Sequence, residues 1–396
     1  MVELVVQKYG GTSLQTTGRM AEAADRIIKE TKRGSQVIVV VSAMGRTTDD
    51  LTTLAGQVSS CPPAREMDLL LSTGEQVSCA LMAMALKAGG VEAEALTGPQ
   101  AGIITDFSYG DAVIKEVDPE PVRSRLKEGK VVIVSGFQGC PGGHEVATLG
   151  RGGSDTTAAV LAGALKADRC EIFTDVDGVY TADPGTITGA RKYEQLDYES
   201  LSALAELGAS VVHPRAAAAA EAWQIPLVVR SSLTEQTGTT ILPGTWSPCS
   251  FPVIGVTSET GLSSFSLHEG ADRREIGREW KNGLCPWKAV QHVKNRLYRI
   301  VVRNEEAPHT KSLLSRFGGR PDTGRALVHV IFRSKEEKQK AGSFMRDLPY
   351  TQDCFMVETQ PHVWSMDVPE RHRVNICQAL HDRCMEKEAA PISAAH

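Results

Sequence analysis

The chain has 396 residues, 41% of them hydrophobic and 23% charged, with a formal net charge of −5. That length supports two or three domains with cores of their own, and the mild acidity leaves no basic footprint for nucleic acid. Nine cysteines without a Cys-x-x-Cys pair argue against a disulfide framework and a zinc site, and no apolar run approaches the ~20 residues of a membrane span.

Residues 1–4 lead directly into a strand, which leaves no room for a signal peptide, and a cytoplasmic enzyme is expected. Residues 5–13 (VVQKYGGTS) read as a buried strand that breaks at Gly10 and Gly11 and enters a helix capped by Thr12 and Ser13. Lys8 sits at the end of that strand. A lysine there is stabilised by a negative partner such as a phosphate, or it snorkels out of an edge strand. Helical patterns at 20–32 and 76–88 alternate with β-branched runs at 37–42 (VIVVVS) and 131–135 (VVIVS), which mark strands buried on both faces of a parallel sheet. Residues 171–174 and 227–230 continue the strand series. The alternation predicts an α/β sandwich, with ligands at the carboxyl ends of the strands.

Residues 149–158 (LGRGGSDTTA) place a basic residue, paired glycines and a Ser-Asp-Thr-Thr cluster before an apolar helix. Gly152 and Gly153 let the backbone approach an anion at the helix mouth, and Asp155 stands where a metal or an ammonium is held. An ordinary N-capped helix behind a glycine turn uses the same residues. Residues 242–252 carry three prolines and read as a linker. Beyond it, strand-like runs at 253–256, 298–302, 326–332 and 363–368 alternate with helix-like stretches at 271–282, 308–317, 335–347 and 371–386.

Five blocks, at 8–13 (KYGGTS), 72–75 (STGE), 136–139 (GFQG), 150–157 (GRGGSDTT) and 174–184 (TDVDGVYTADP), resemble in order and spacing the aspartate kinases of the amino acid kinase superfamily. The likeness covers about residues 2–245. It implies a three-layer α/β sandwich with a mostly parallel central sheet as a catalytic domain over 1–245. Over 253–387 it implies a divergent α+β regulatory and dimerisation region of two degenerate ACT-like units, followed by a disordered tail at 388–396.

The activity implied is transfer of a phosphoryl group from ATP, with Mg2+, to the side-chain carboxylate of L-aspartate in a homodimer. In that resemblance Lys8 bridges the β- and γ-phosphates, Gly10 and Gly11 supply amides, and Asp155 orients Lys8 or the magnesium, with no protein metal site. Arg151 takes the substrate's α-carboxylate with Gly153 and Ser154, Glu75 takes its ammonium from a helix start, where the dipole alone also favours a glutamate, and Thr47 and Thr48 form the turn beside it. Thr174, Asp175, Tyr180 and Asp183 hold the nucleotide.

Two departures remove cations that meet the nucleotide in the family: Gly185 after Asp183-Pro184, and Ser210 in the turn at 208–211. Their joint loss weakens ATP by roughly 3 to 6 kcal/mol unless Arg191, Lys192 or Arg215 compensates. The effector turns also depart, at 269–272 (EGAD) and 307–309 (APH), so inhibition by lysine and threonine is expected to be weak or absent. A kinase of the same fold acting on another amino acid carboxylate, and a weakly active partner subunit of another kinase, are the alternatives.

Overall fold

The computed structural model describes residues 2–143, 145–209, 211–244, 253–272, 288–293, 296–317, 319–341 and 353–386. They divide into two compact units. The first comprises residues 1–179, 193–205 and 210–248, and the second comprises 180–192, 206–209 and 249–396. The expected tail at 388–396 lies outside the described residues.

The first unit is built on strands β1 (Leu4–Tyr9), β2 (Gln36–Val41), β3 (Ala93–Leu96), β4 (Ile103–Thr105), β5 (Ile114–Val117), β6 (Val131–Ser135), β7 (Gln138–Gly139), β8 (Ala147–Thr148), β9 (Arg169–Thr174), β10 (Gln195–Asp197), β11 (Leu227–Ser231) and β12 (Thr239–Leu242). Eight of these form one sheet in the order β10-β12-β11-β9-β1-β2-β6-β3. All its pairs are parallel except β11 with β12. The β-branched runs fall in the centre, where the strands are buried on both faces.

Helices α1 (Thr17–Lys32), α2 (Thr47–Val58), α3 (Ala64–Ala88), α4 (Glu120–Lys127), α5 (Gly153–Leu165), α6 (Tyr198–Glu206) and α7 (Pro214–Trp223) connect the strands. Met20 and Ile27 of α1 and Met82 and Leu86 of α3 pack on Val37, Val39, Val41 and Ile133. On strands β1, β2 and β9 the sheet meets α5, against which α7 lies. The result is the expected three-layer sandwich with a mostly parallel sheet.

Three local expectations change. Helix α1 is capped by Thr16, whose hydroxyl accepts the Arg19 N–H at 3.2 Å, while residues 12–14 form a short 3₁₀ turn. Helix α5 is preceded by Gly152 in the left-handed region, with no side-chain cap. Helix α3 starts at Ala64, twelve residues before the predicted start, and places Glu75 mid-helix. The polar run 72–75 does not break it, because the Ser72 and Thr73 hydroxyls donate back to the Leu69 and Leu70 carbonyls at 2.9 and 2.6 Å. By length and composition this 25-residue helix is apolar enough to cross a membrane, yet in the fold it is a core helix with Asp68 and Glu75 buried along it.

The second unit contains β13 (Val253–Asp272), β14 (Ala289–Val293), β15 (Arg296–Arg303), α8 (Ala307–Leu314), β16 (Arg320–Phe332), α9 (Lys335–Lys340), β17 (Phe355–Val357), β18 (Val363–Pro369) and α10 (Arg373–Glu386). Its six strands form a separate antiparallel sheet, order β14-β15-β13-β16-β18-β17, consistent with ACT-like units. The strand expected at 253–256 runs on to Asp272, so the first part of the helix predicted at 271–282 is strand, and 273–282 lies outside the described residues. Helix α8 packs Leu314 on Phe265, Ile300 and Val302. Helix α10 packs Cys377, Leu380 and Cys384 on Val256, Val328 and Val368.

Strands β13 and β16 each run through both halves of the sheet, turning at Gly261 and Gly324, which have φ of 72° and 67°. The outer strands also meet. Val290 and Glu358 exchange backbone hydrogen bonds of 3.1 and 2.6 Å, which closes the sheet into a barrel. Two segments numbered inside the expected catalytic stretch 1–245 belong to this unit. Ala182 and Ile187 join the α10 core, and the Thr181 hydroxyl lies 2.9 Å from His381 Nε2.

Candidate active site

Five neighbouring parallel strands, β11, β9, β1, β2 and β6, end along one edge of the central sheet. Their loops are tied together: Gly10 N–H donates to Phe173 O (3.2 Å), Ser42 N–H to Tyr9 O (3.1 Å), Gly136 N–H to Val41 O (3.0 Å) and Ser232 N–H to Thr174 O (2.8 Å). Loops at the carboxyl edge of such a sheet are where ligands bind.

Lys8 sits at this edge, only 9% exposed, with Nζ 2.5 Å from Asp155 Oδ1 in the first turn of α5. The ion pair offsets the cost of burying the ammonium, so the snorkelling alternative does not apply. A Cβ at Gly10 would lie 3.3 Å from Lys8 Nζ, and one at Gly11 would lie 2.9 Å from the Ala43 carbonyl. A side chain at Gly10 would crowd the lysine ammonium, and one at Gly11 would collide with the Ala43 carbonyl. No group of three or more His, Cys, Asp or Glu residues capable of holding a metal occurs among the described residues.

Glu75 lies on the buried face of α3, 4% exposed. Its Oε1 accepts the Ala43 N–H at 3.0 Å, and its Oε2 has no hydrogen-bond partner among the described residues. Burial pushes its carboxyl up to about 7, partly countered by the Ala43 amide. Gly74 makes the approach possible, since a Cβ there would come within 2.9 Å of Ala43 Cβ. Thr47 stands beside it, with its hydroxyl on the Met44 carbonyl at 2.7 Å, and Thr48 follows in the first turn of α2. An ionised carboxylate buried with one orphan oxygen is costly unless a cation meets it.

Arg151 is exposed, between Gly150 and Gly152, both at positive φ (71° and 70°). A Cβ at Gly152 would lie 2.0 Å from the His213 ring, and one at Gly153 within 2.9 Å of Leu149 and Phe137. Ser154 is buried against Gly136, where a Cβ would come within 2.8 Å of it. Burial lowers the His213 imidazole pKa, and its Nδ1 accepts the Arg215 N–H at 3.3 Å. Arg215 holds the Leu149 carbonyl (2.7 Å) and Asp111 (2.8 Å), so its guanidinium braces the Arg151 loop.

Two positioning residues are not evident from sequence. Asp68, fully buried on α3 two turns before Glu75, accepts the Thr148 N–H (2.7 Å), the Thr148 hydroxyl (2.6 Å) and the Gly110 N–H (2.9 Å). It anchors the chain leading into Arg151. Thr157 on α5 accepts the N–H of Phe137, a non-glycine residue at φ 70° in the turn after β6. Asp68 shows in the sequence only as polarity in an apolar helical run, whereas Thr157 closes the 150–157 block, which does not reveal its bond to Phe137.

Of the expected nucleotide residues, Thr174 ends β9 and Asp175 follows it at the same edge, the Thr174 hydroxyl donating to Asp175 at 3.0 Å, and Asp175 is exposed. Tyr180 and Asp183 belong to the second unit. Asp183 uses both carboxylate oxygens within its own turn, accepting the Gly185 N–H (2.9 Å) and the Thr186 hydroxyl (3.0 Å). Ser210 lies outside the described residues.

Residues 3–231 match the model of the amino acid kinase family. Among curated proteins, the chain is 52% identical over 238 residues to an aspartokinase of Geobacillus stearothermophilus, covering 60% of this chain and 58% of that protein. It is 48% identical over 265 residues to aspartokinase 2 of Bacillus subtilis, covering 67% and 65%. The chain thus spans less than two thirds of the length of the curated relatives it matches. Among solved structures it is similar to the aspartate kinase from Synechocystis (TM-score 0.57, 31% identity, 99% of this chain and 70% of that one). In fold it is similar to E. coli aspartokinase III in complex with aspartate and ADP (TM-score 0.74, 23% identity, 96% and 99%). With a family model covering more than half its length and these relatives, the chain belongs to the amino acid kinase family, among the aspartokinases.

Proposed function

We propose that this chain transfers the γ-phosphoryl group of ATP to the side-chain carboxylate of L-aspartate, giving 4-phospho-L-aspartate and ADP. The observation that carries the reading is Glu75, a buried carboxylate with an orphan oxygen, on the same sheet edge as the Lys8–Asp155 pair. The names of the curated relatives, and the aspartate and ADP of the E. coli complex, support the same substrates.

Donor and acceptor are both anions, so the work is charge neutralisation and in-line placement. Lys8 Nζ faces the β- and γ-phosphates and stabilises the charge that develops as the bond to the leaving oxygen breaks, with Gly10 and Gly11 allowing the phosphates to lie against backbone. Asp155 holds Lys8 in place. The acceptor carboxylate carries no proton at neutral pH, so no general base is needed. Glu75 takes the substrate's ammonium, and Arg151, with Ser154 and the Gly153 backbone, takes its α-carboxylate. Mg2+ bound with the nucleotide would screen its phosphates, and among the described site residues Asp155 would be the carboxylate to hold it.

Residues 1–245 are assigned to catalysis and 253–387 to regulation and dimerisation. Val290 of β14 and Glu358, just after β17, exchange backbone hydrogen bonds, so strand addition at that point is blocked and a homodimer through this region would use its other surfaces. Lysine and threonine are proposed to inhibit weakly or not at all. Residues 269–272 are strand in place of an effector turn, and Pro308 at the start of α8 offers no N–H.

A coupled assay of ADP release with aspartate, with glutamate and without acceptor tests the reading. Aspartate-dependent release, with the acyl phosphate trapped by hydroxylamine, is expected. Release that ignores aspartate would overturn it, and strong cooperative inhibition by millimolar lysine plus threonine would overturn the regulatory part.

A further inference from the structure

The barrel of the second unit carries a charged cluster with no role in the proposed phosphoryl transfer. Arg299 on β15 and Arg325 on β16 are each 3% exposed. Both reach the fully buried Asp367 on β18, Arg325 Nε to Oδ1 at 2.7 Å and Arg299 Nε to Oδ2. Arg299 also donates to the Ser264 and Ser266 hydroxyls at 2.6 and 2.7 Å, and its guanidinium lies 3.9 Å from the Phe355 ring centre. Arg325 donates to the Asp353 carbonyl at 2.8 Å.

Among the described residues, two buried cations against one buried carboxylate leave one positive charge to be answered, and an uncompensated buried charge is costly. The balance comes from Asp322, paired in register with Ser264, whose side chain is 51% exposed. One oxygen, Oδ2, faces both guanidinium groups, at 3.4 Å from Arg299 Nη2 and 3.3 Å from Arg325 Nη1. Those distances are long for a charge-assisted hydrogen bond, which lies near 2.7 to 2.9 Å. The arginines are fixed by buried partners, while the carboxylate that neutralises them is the loose member.

We propose that Arg299 and Arg325 form a binding site for a small organic carboxylate, with Asp322 as the built-in competitor for the same guanidinium nitrogens. An incoming carboxylate gains two fixed planar donors and answers the same buried positive charge, while the displaced half-exposed Asp322 regains its hydration, so the exchange leaves no buried charge unpaired. The site is independent of the kinase reading.

Thermal melting of the full chain in acetate, malonate, inorganic phosphate or chloride at matched ionic strength tests this, using wild type, Asp322→Ala and the near-isosteric Asp322→Asn. Removing the competitor should lower the melting temperature in chloride. Acetate and malonate should restore it, with half-maximal recovery at about a tenth of the concentration needed for any shift in wild type, a difference of about 1.4 kcal/mol. Asp322→Asn gives the same readout if Asp322→Ala fails to fold. Equal responses in the three proteins, or phosphate and chloride matching the carboxylates, would overturn the proposal.

Discussion

Replacing Glu75 by Gln separates what its carboxylate contributes to binding from what it costs the fold. The ordinary value of this carboxyl is 4.5, and burial raises it to about 7. Below about pH 4.5 both folded and unfolded chains carry the proton and the shift has no effect. As pH rises toward 7 the unfolded chain ionises first, so the folded state loses stability through that window, by roughly 3 kcal/mol once both are ionised. Glutamine keeps the acceptor for the Ala43 N–H and removes the ionisation. Glu75→Gln should therefore abolish most of the fall in denaturant midpoint between pH 5 and pH 8. Aspartate should bind the ionised form, about a tenth of the molecules at pH 6 and nine tenths at pH 8, so the wild-type KM for aspartate should drop by up to about tenfold across that range. The variant should show a high KM at both pH values. The same pH dependence of midpoint and KM in wild type and Glu75→Gln would refute the assignment of Glu75 as a strained, ammonium-binding carboxylate.

Lys8→Ala should keep the fold and cut kcat by roughly 10² or more, measured as ADP release; near wild-type turnover would remove Lys8 from the reaction. Arg151→Ala should raise the KM for aspartate by about one to two orders of magnitude with little change for ATP, the loss expected of one charged hydrogen-bonding contact. The reverse split would move Arg151 to the nucleotide. Gly152→Ala forces a Cβ into the left-handed region and against the His213 ring, at a cost of more than about 1 to 2 kcal/mol from the backbone alone. It should lower the melting temperature and raise the KM for aspartate together, and an unchanged KM would show that this turn does not set the position of Arg151.

The central strands, the glycine turns and the residues at their ends were legible in the sequence because they are local. A β-branched run such as 37–41 has few other ways to be buried, and Gly152 reports a backbone conformation that its neighbours require. Periodicity also placed the strands and helices of the C-terminal region roughly, at 298–302, 326–332 and 363–368. What the sequence did not carry was which distant groups meet. Lys8 finds Asp155 across 147 positions, and Asp68 finds Thr148 across 80. Glu75 read as a helix-start residue because polarity marks caps, and only packing of α3 on the Ala43 turn turned it into a buried carboxylate with a raised pKa. Residues 180–192 read as part of the nucleotide motif, yet Ala182 and Ile187 find their apolar partners in the second unit. The same holds for the barrel, where closure depends on Val290 meeting Glu358, and charge balance on Arg299 and Arg325 meeting both Asp367 and Asp322. Side-chain periodicity selects strand or helix for each segment, whereas pairing between segments is decided by burial and charge compensation in three dimensions.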